Sequence, residues 1–164
     1  MWEELWQQLS EDVMTSFGTV PAPVVAVRLL SALLLGGLVG FEREHRGKPA
    51  GLRTHMLVSM AACLFILVSQ EMVTLPFGSE DSKRVDPLRL VEAVTAGVAF
   101  LAAGTIISNQ GKVQNLTTGA SMWLAGAIGL ACGSGHVLLG ALAAAIVVLV
   151  LAVVHRIEVL MGTD

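Results

Sequence analysis

Hydrophobic residues along this chain gather into five long apolar stretches, 24–41, 51–73, 88–108, 117–132 and 137–154, parted by short polar breaks. At roughly 1.5 Å of rise per residue each is long enough, or nearly so, to cross a hydrocarbon core about 30 Å thick. The pattern predicts an all-α integral membrane protein with five transmembrane helices. The fourth stretch is the shortest and rich in glycine, so it is expected to tilt little or to end below the interface. Ahead of them, Trp2, Leu5, Trp6, Leu9 and Val13 recur at helical spacing, while Glu3, Glu4, Gln7, Gln8, Glu11 and Asp12 fill the other face. That is an amphipathic helix expected to lie in the membrane interface, held by its tryptophans, since an acidic face does not attract anionic lipid. The organisation read from the pattern is an amphipathic helix over 1–20, a transmembrane domain over 21–158 and a short tail over 159–164.

Local signals punctuate the spans. Residues 18–23 contain one glycine and two prolines and turn the chain toward the membrane. Asp86 before Pro87 predicts a helix start, with the carboxylate capping free N–H groups. Asn115, Thr117 and Thr118 offer similar caps for the fourth span, and Cys132 to His136 leaves room only for a tight turn, so the last two helices are antiparallel neighbours.

Composition agrees with a membrane protein: 54% of residues are hydrophobic, 14% are charged and tyrosine is absent. A net charge of −3, with basic residues forming one compact loop and no extended stripe, argues against nucleic acid as a partner and leaves the lipid bilayer as the evident one. The acidic start lacks the positive region of a signal peptide, so the first span is expected to act as the insertion signal. Cys63 and Cys132 fall inside apolar stretches and read as small packing residues. With the 42–53 loop inside, inner segments carry Arg43, Arg46, Lys48, Arg53, Lys112 and Arg156 against Lys83, Arg84 and Arg89 outside, six to three. This count places the amino terminus outside and the carboxyl terminus in the cytoplasm.

Small residues favour close packing of the helices. Gly36 and Gly40 form a G-x-x-x-G pair, Thr118, Ser121, Ala125, Gly129 and Cys132 make one stripe, and Gly97, Gly104 and Gly126 add further approach points. Such faces also offer surfaces for self-association, and a homodimer through Gly36 and Gly40 is the expectation.

Three segments carry a specific resemblance: GFEREHRGKPAGLRTHMLV, DPLRLVEAVTAGVAFLAAGTII and NLTTGASMWLAGAIG. In their order and spacing they resemble the transmembrane domain of the MgtC/SapB family over about residues 30 to 155, without the soluble carboxyl-terminal ACT-type domain into which its best-known members continue. The resemblance implies a protein of the bacterial inner membrane linked to growth at low magnesium, survival in host cells and stress adaptation. It implies a regulator acting on another membrane protein such as ATP synthase, or alternatively a transporter or channel passing magnesium or protons.

Two polar clusters follow from the topology. The inner one gathers Glu42, Arg43, Glu44, Arg46, Lys48, Arg53 and Thr54 with Asn109, Lys112, Asn115, Thr117, Thr118 and Ser121. Two helix amino termini and a guanidinium are expected to face the Glu42 and Glu44 carboxylates there. The outer one contains Arg28, Glu71, Asp86, Arg89 and Glu92. Glu92 shares a stripe with Ala96, Ala99 and Ala103 and is expected to face the bundle, paired with Arg89 or Arg28, or protonated. Magnesium needs hard oxygen ligands, and Glu42, Glu44 and Glu92 are the candidates, although Glu92 lies at the opposite membrane face and the arginines compete for the other two. No cofactor other than Mg2+ suggests itself. There is no nucleophile and base pair, no phosphate loop and no zinc spacing, and the scattered histidines sit near span ends, so an enzyme is not expected.

Overall fold

The computed structural model describes residues 1–15, 17–74, 86–109 and 111–162. Within them the chain forms α1 (Trp2–Thr15), α2 (Ala22–His45), α3 (Leu52–Thr74), α4 (Pro87–Thr105), α5 (Leu116–Gly133) and α6 (Val137–Met161), with a small hairpin of β1 (Ile107–Asn109) and β2 (Lys112–Gln114) between α4 and α5. The last five helices are each long and apolar enough to cross a membrane. The amphipathic α1 leaves Trp2, Leu5, Trp6 and Leu9 exposed, as an interfacial helix would.

Two spans outrun the hydropathy pattern. α2 continues to His45 and α6 to Met161. At 24 residues, α2 is about 36 Å long against a hydrocarbon core of about 30 Å, so its last turn stands in the interface and takes up Glu42, Arg43 and Glu44. The third span is shorter than its apolar run. It ends at Thr105, and residues 107–109 pair antiparallel with 112–114, Ser108 opposite Val113.

α5 is the hub of the bundle, packing against α2, α3, α4 and α6. Over half of its span, 56%, is buried, against 33% or less for each of the others. The expected stripe of Thr118, Ser121, Ala125, Gly129 and Cys132 is buried along its whole length. Close approach is what the glycines supply. A Cβ on Gly129 would collide with the Ser59 carbonyl oxygen, and on Gly36 it would lie 2.6 Å from Ser59 Cβ. One apolar layer gathers Ala32, Val39, Cys63, Ile128 and Cys132, and a second gathers Val58, Val94, Val98 and Ala125.

Four expectations about faces and caps change. Gly36 and Gly40 are buried against α3, where a Cβ on Gly40 would lie 2.8 Å from Leu52 Cα, so this pair is spent inside one chain and is not a free surface for a second copy. Gly97 and Gly104 meet nothing, because α4 turns Val94, Val98 and Ala102 to the bundle instead. Glu92, Ala96, Ala99 and Ala103 consequently lie on the exposed side of α4, not facing the bundle. Asn115 gives α5 no side-chain cap. It adopts a left-handed conformation (φ 66°), and its Nδ2 donates to the Thr105 carbonyl, 3.0 Å away, tying α5 to the end of α4. The Asp86 cap forms as expected, its Oδ1 accepting from Leu88 N at 3.0 Å, and α5 and α6 turn at Gly135, where φ is +88°.

Candidate functional site at the basic end of the bundle

The polar residues of the two membrane ends fare differently. At the end carrying Arg28 they scatter. Arg28 donates to the Gly133 carbonyl at 2.9 Å and to Gln70 Oε1 at 3.3 Å, closing the carboxyl end of α5, where its charge suits the helix dipole. Glu71 accepts from the backbone N–H groups of Thr19 and Val20 and from the Thr19 hydroxyl, anchoring the chain that leads into α2. Asp86 caps α4, and Arg89 and Glu92 are exposed with no ion pair between them. The expected outer cluster is therefore a set of separate structural contacts. Lys83 and Arg84 lie outside the described residues.

At the opposite end a cleft of about 260 Å3 forms between the last turn of α2, the start of α5 and the carboxyl-terminal half of α6. Glu42, Arg43, Arg46 and Lys48 line one side, Asn115, Thr117 and Thr118 the floor, and Val150, Leu151, Val154 and His155 the far wall. Local sequence explains the arrangement. Gly47, at φ +59°, ends α2, and its N–H bonds the Glu44 carbonyl while Lys48 N–H bonds the Arg43 carbonyl. The chain reverses there and brings Lys48 back over the cleft.

Arg43 is the central group. Only 4% of it is exposed. Its Nη2 donates to Thr118 Oγ1 at 2.6 Å, while its Nε has no partner. Glu42 is engaged by Arg46 one turn on, through Oε1 and Nε, and its Oε2 is buried without a partner. Arg43 makes no ion pair among the described residues, so a nearly buried guanidinium lines the cleft with the Glu42 carboxylate, already engaged by Arg46, as its neighbouring anion, and its burial is only partly compensated. Beyond Arg43 the polar chain continues inward. Ser121 Oγ donates to the Thr118 carbonyl at 3.0 Å, and the His55 ring contacts Ser121 Oγ at 3.0 Å and the Gly51 carbonyl at 2.9 Å.

Of the expected inner cluster, the structure brings together Glu42, Arg43, Arg46, Lys48, Asn115, Thr117 and Thr118, with Ser121 one turn deeper. Glu44 points elsewhere and caps α3, its Oε2 accepting from Leu52 N at 2.8 Å, which is one helix terminus meeting one carboxylate as expected. Arg53 and Lys112 are exposed outside the cleft, and Thr54 does not line it. His55 was not anticipated: it is fully buried, where the pattern suggested an interfacial ring. Its signal was available, because His55, Ser59, Ala62 and Ile66 recur every three or four residues on one face of α3 and are all buried.

The donor set does not fit a divalent cation. One free carboxylate oxygen, Glu42 Oε2, is flanked by Arg43 and Arg46, whereas a magnesium site asks for one or two carboxylates unopposed by fixed cations. No group of three His, Cys, Asp or Glu side chains with metal-binding geometry occurs among the described residues.

Known proteins extend the picture. A profile of the MgtC family matches residues 29–160. Over 136 residues the chain is 39% identical to the "Putative magnesium transporter YhiD" of Escherichia coli K12, covering 80% of this chain and 60% of that protein. It is 42% identical over 123 residues to "Protein MgtC" of Salmonella typhimurium, covering 75% of this chain and 48% of that one. Against "Protein MgtC" of Brucella abortus it is 37% identical over 130 residues, covering 79% of this chain and 51% of that one. The chain thus spans about half to three fifths of the length of these relatives, and no solved structure matches it. Five apolar spans in a close-packed bundle, together with a profile match over nearly all of them, make this multi-pass membrane protein a member of the MgtC family.

Proposed function

We propose that this chain is a magnesium-linked regulatory membrane protein that acts through its basic end and through contact with another membrane protein, and that it does not pass cations through its bundle. One observation carries this reading. The polar groups of the two ends are separated by a close-packed apolar cluster built around Ala32, Val39, Cys63, Ile128 and Cys132, no buried member of which is more than 8% exposed. A hydrated cation crossing that layer would lose its water with no oxygen ligands in return, and magnesium gives up water reluctantly. Glu92 supports the same conclusion, since it stands on the outer side of α4 and not on a path through the bundle.

The competing reading, a transporter, is favoured by the name of one relative, "Putative magnesium transporter YhiD". Purified protein in sealed liposomes, loaded with magnesium-sensitive and pH-sensitive dyes, separates the two. The regulatory reading expects influx equal to that of empty liposomes. Saturable magnesium or proton entry, lost in a Glu42→Gln or Glu92→Gln variant that folds equally well, would replace it with the transporter.

A further inference from the structure

We propose that the basic cleft binds the phosphodiester headgroup of a membrane lipid, one whose headgroup also carries a hydroxyl or ammonium hydrogen-bond donor. The inference stands apart from the question of transport, since a regulator and a transporter could each hold such a lipid.

The charge of the site selects an anion. Among the described residues that line the cleft, Arg43, Arg46 and Lys48 stand with one carboxylate, Glu42, an excess of two positive charges. The most buried of the three, Arg43, keeps an Nε–H without a partner. A guanidinium with a free N–H suits the paired oxygens of a phosphate, and such charge-assisted bonds are among the strong ones. The start of α5 adds to this. The Asn115 side chain is committed to the Thr105 carbonyl and does not cap α5, and no other described side chain accepts a hydrogen bond from the first N–H groups of α5 beside Thr117 and Thr118.

Two further features narrow the anion to a lipid. The wall opposite the charges is apolar, formed by Val150, Leu151 and Val154 of α6, and Val150 and Val154 are 51% and 46% exposed. The cleft therefore runs out onto the membrane-facing surface of a transmembrane helix, where acyl chains lie. Glu42 Oε2 is buried and lacks a donor, so a ligand that is only an anion would leave it orphaned. Phosphatidylglycerol offers a hydroxyl beside its phosphate and phosphatidylethanolamine an ammonium. Phosphatidylcholine offers neither.

The test is titration of the detergent-solubilised full chain with short-chain phosphatidylglycerol, phosphatidylethanolamine and phosphatidylcholine and with inorganic phosphate, bound species being counted by native mass spectrometry. The two donor-bearing lipids are expected to bind more tightly than phosphatidylcholine. Lys48→Ala, at an exposed rim position, should weaken phosphatidylglycerol binding about tenfold, the equivalent of one charge-assisted contact. Val154→Trp, which fills the apolar wall without altering charge, should weaken it as well, whereas Arg53→Ala, which removes an equal charge outside the cleft, should leave it unchanged. Equal loss with Arg53→Ala would reduce the effect to general surface charge and overturn the proposal. Inorganic phosphate that displaces phosphatidylglycerol and is indifferent to Val154→Trp would assign the cleft to a free phosphate and overturn its lipid identity. Equal binding of all three lipids would remove the role of Glu42.

Discussion

Two chemically identical substitutions, Gly129→Ala and Gly97→Ala, should move stability in opposite directions. In a helix each exchange gains about 1 kcal/mol of intrinsic propensity. At Gly97 nothing opposes that gain, because no atom lies within 4 Å of the added Cβ. At Gly129 the Cβ would overlap the Ser59 carbonyl oxygen and lie 2.8 Å from the Ser59 carbonyl carbon and 2.9 Å from Ala62 Cβ. Two of those atoms are backbone and cannot swing aside as a side-chain tip would, so α3 and α5 must separate along their contact. Overpacking a close-packed interior costs about 1–3 kcal/mol, and a backbone obstacle places this case near the upper end. The two variants should therefore differ by about 3 kcal/mol, or roughly 6–12 °C in melting temperature for a chain of this length. Thermal unfolding followed by helical circular dichroism, in one detergent and at one scan rate, reads the difference directly. Melting temperatures within a degree or two of each other, or Gly97→Ala as the less stable variant, would refute the packing of α5 on α3.

Other substitutions test the polar interior and the turns. Ser121→Ala removes the partner of His55 Nε2 and should cost about 1–3 kcal/mol in detergent unfolding, whereas Ser59→Ala, which removes a buried hydroxyl without a partner, should be neutral or stabilising. Ala50 sits at φ 55° in the turn between α2 and α3, so Ala50→Gly should raise stability by about 1 kcal/mol in the same assay. Asp86→Ala should cost about 1 kcal/mol by removing the α4 cap, visible as faster amide exchange at Leu88 and its neighbours with the other helices unchanged.

The parts of the fold legible in the sequence were those with local causes. Five apolar runs gave five spans, Asp86 before Pro87 gave a helix start, and the small-residue stripe of α5 identified its buried face. The face of α4 was misread because that helix is apolar or small nearly all round, so periodicity cannot choose between Glu92 with Ala96 and Val94 with Val98. The basic end was half legible. Arginines near the membrane read first as a topology signal, and Glu42, Arg43 and Thr118 could be grouped, but the burial of Arg43 depends on α2 running one turn past its apolar stretch. The contribution of Val150, Leu151 and Val154 was hidden, since no local rule shows which face of α6 lies over a cleft built by two other helices. The partners of Arg28, Gln70 and the Gly133 carbonyl, are separated from it by 42 and 105 residues and leave no trace in the pattern.

The separation of the two ends by a dry, close-packed layer is tested most directly with the two native cysteines. Cys63 and Cys132 are the only cysteines in the chain, lie in that layer and are fully buried. In sealed membrane vesicles, with and without a magnesium gradient, a small charged thiol-modifying reagent should leave both unmodified by mass spectrometry while labelling an exposed control such as Ser134→Cys. Modification of Cys63 or Cys132 at a rate near that of the control would mean that water and ions reach the middle of the bundle, and would contradict the account.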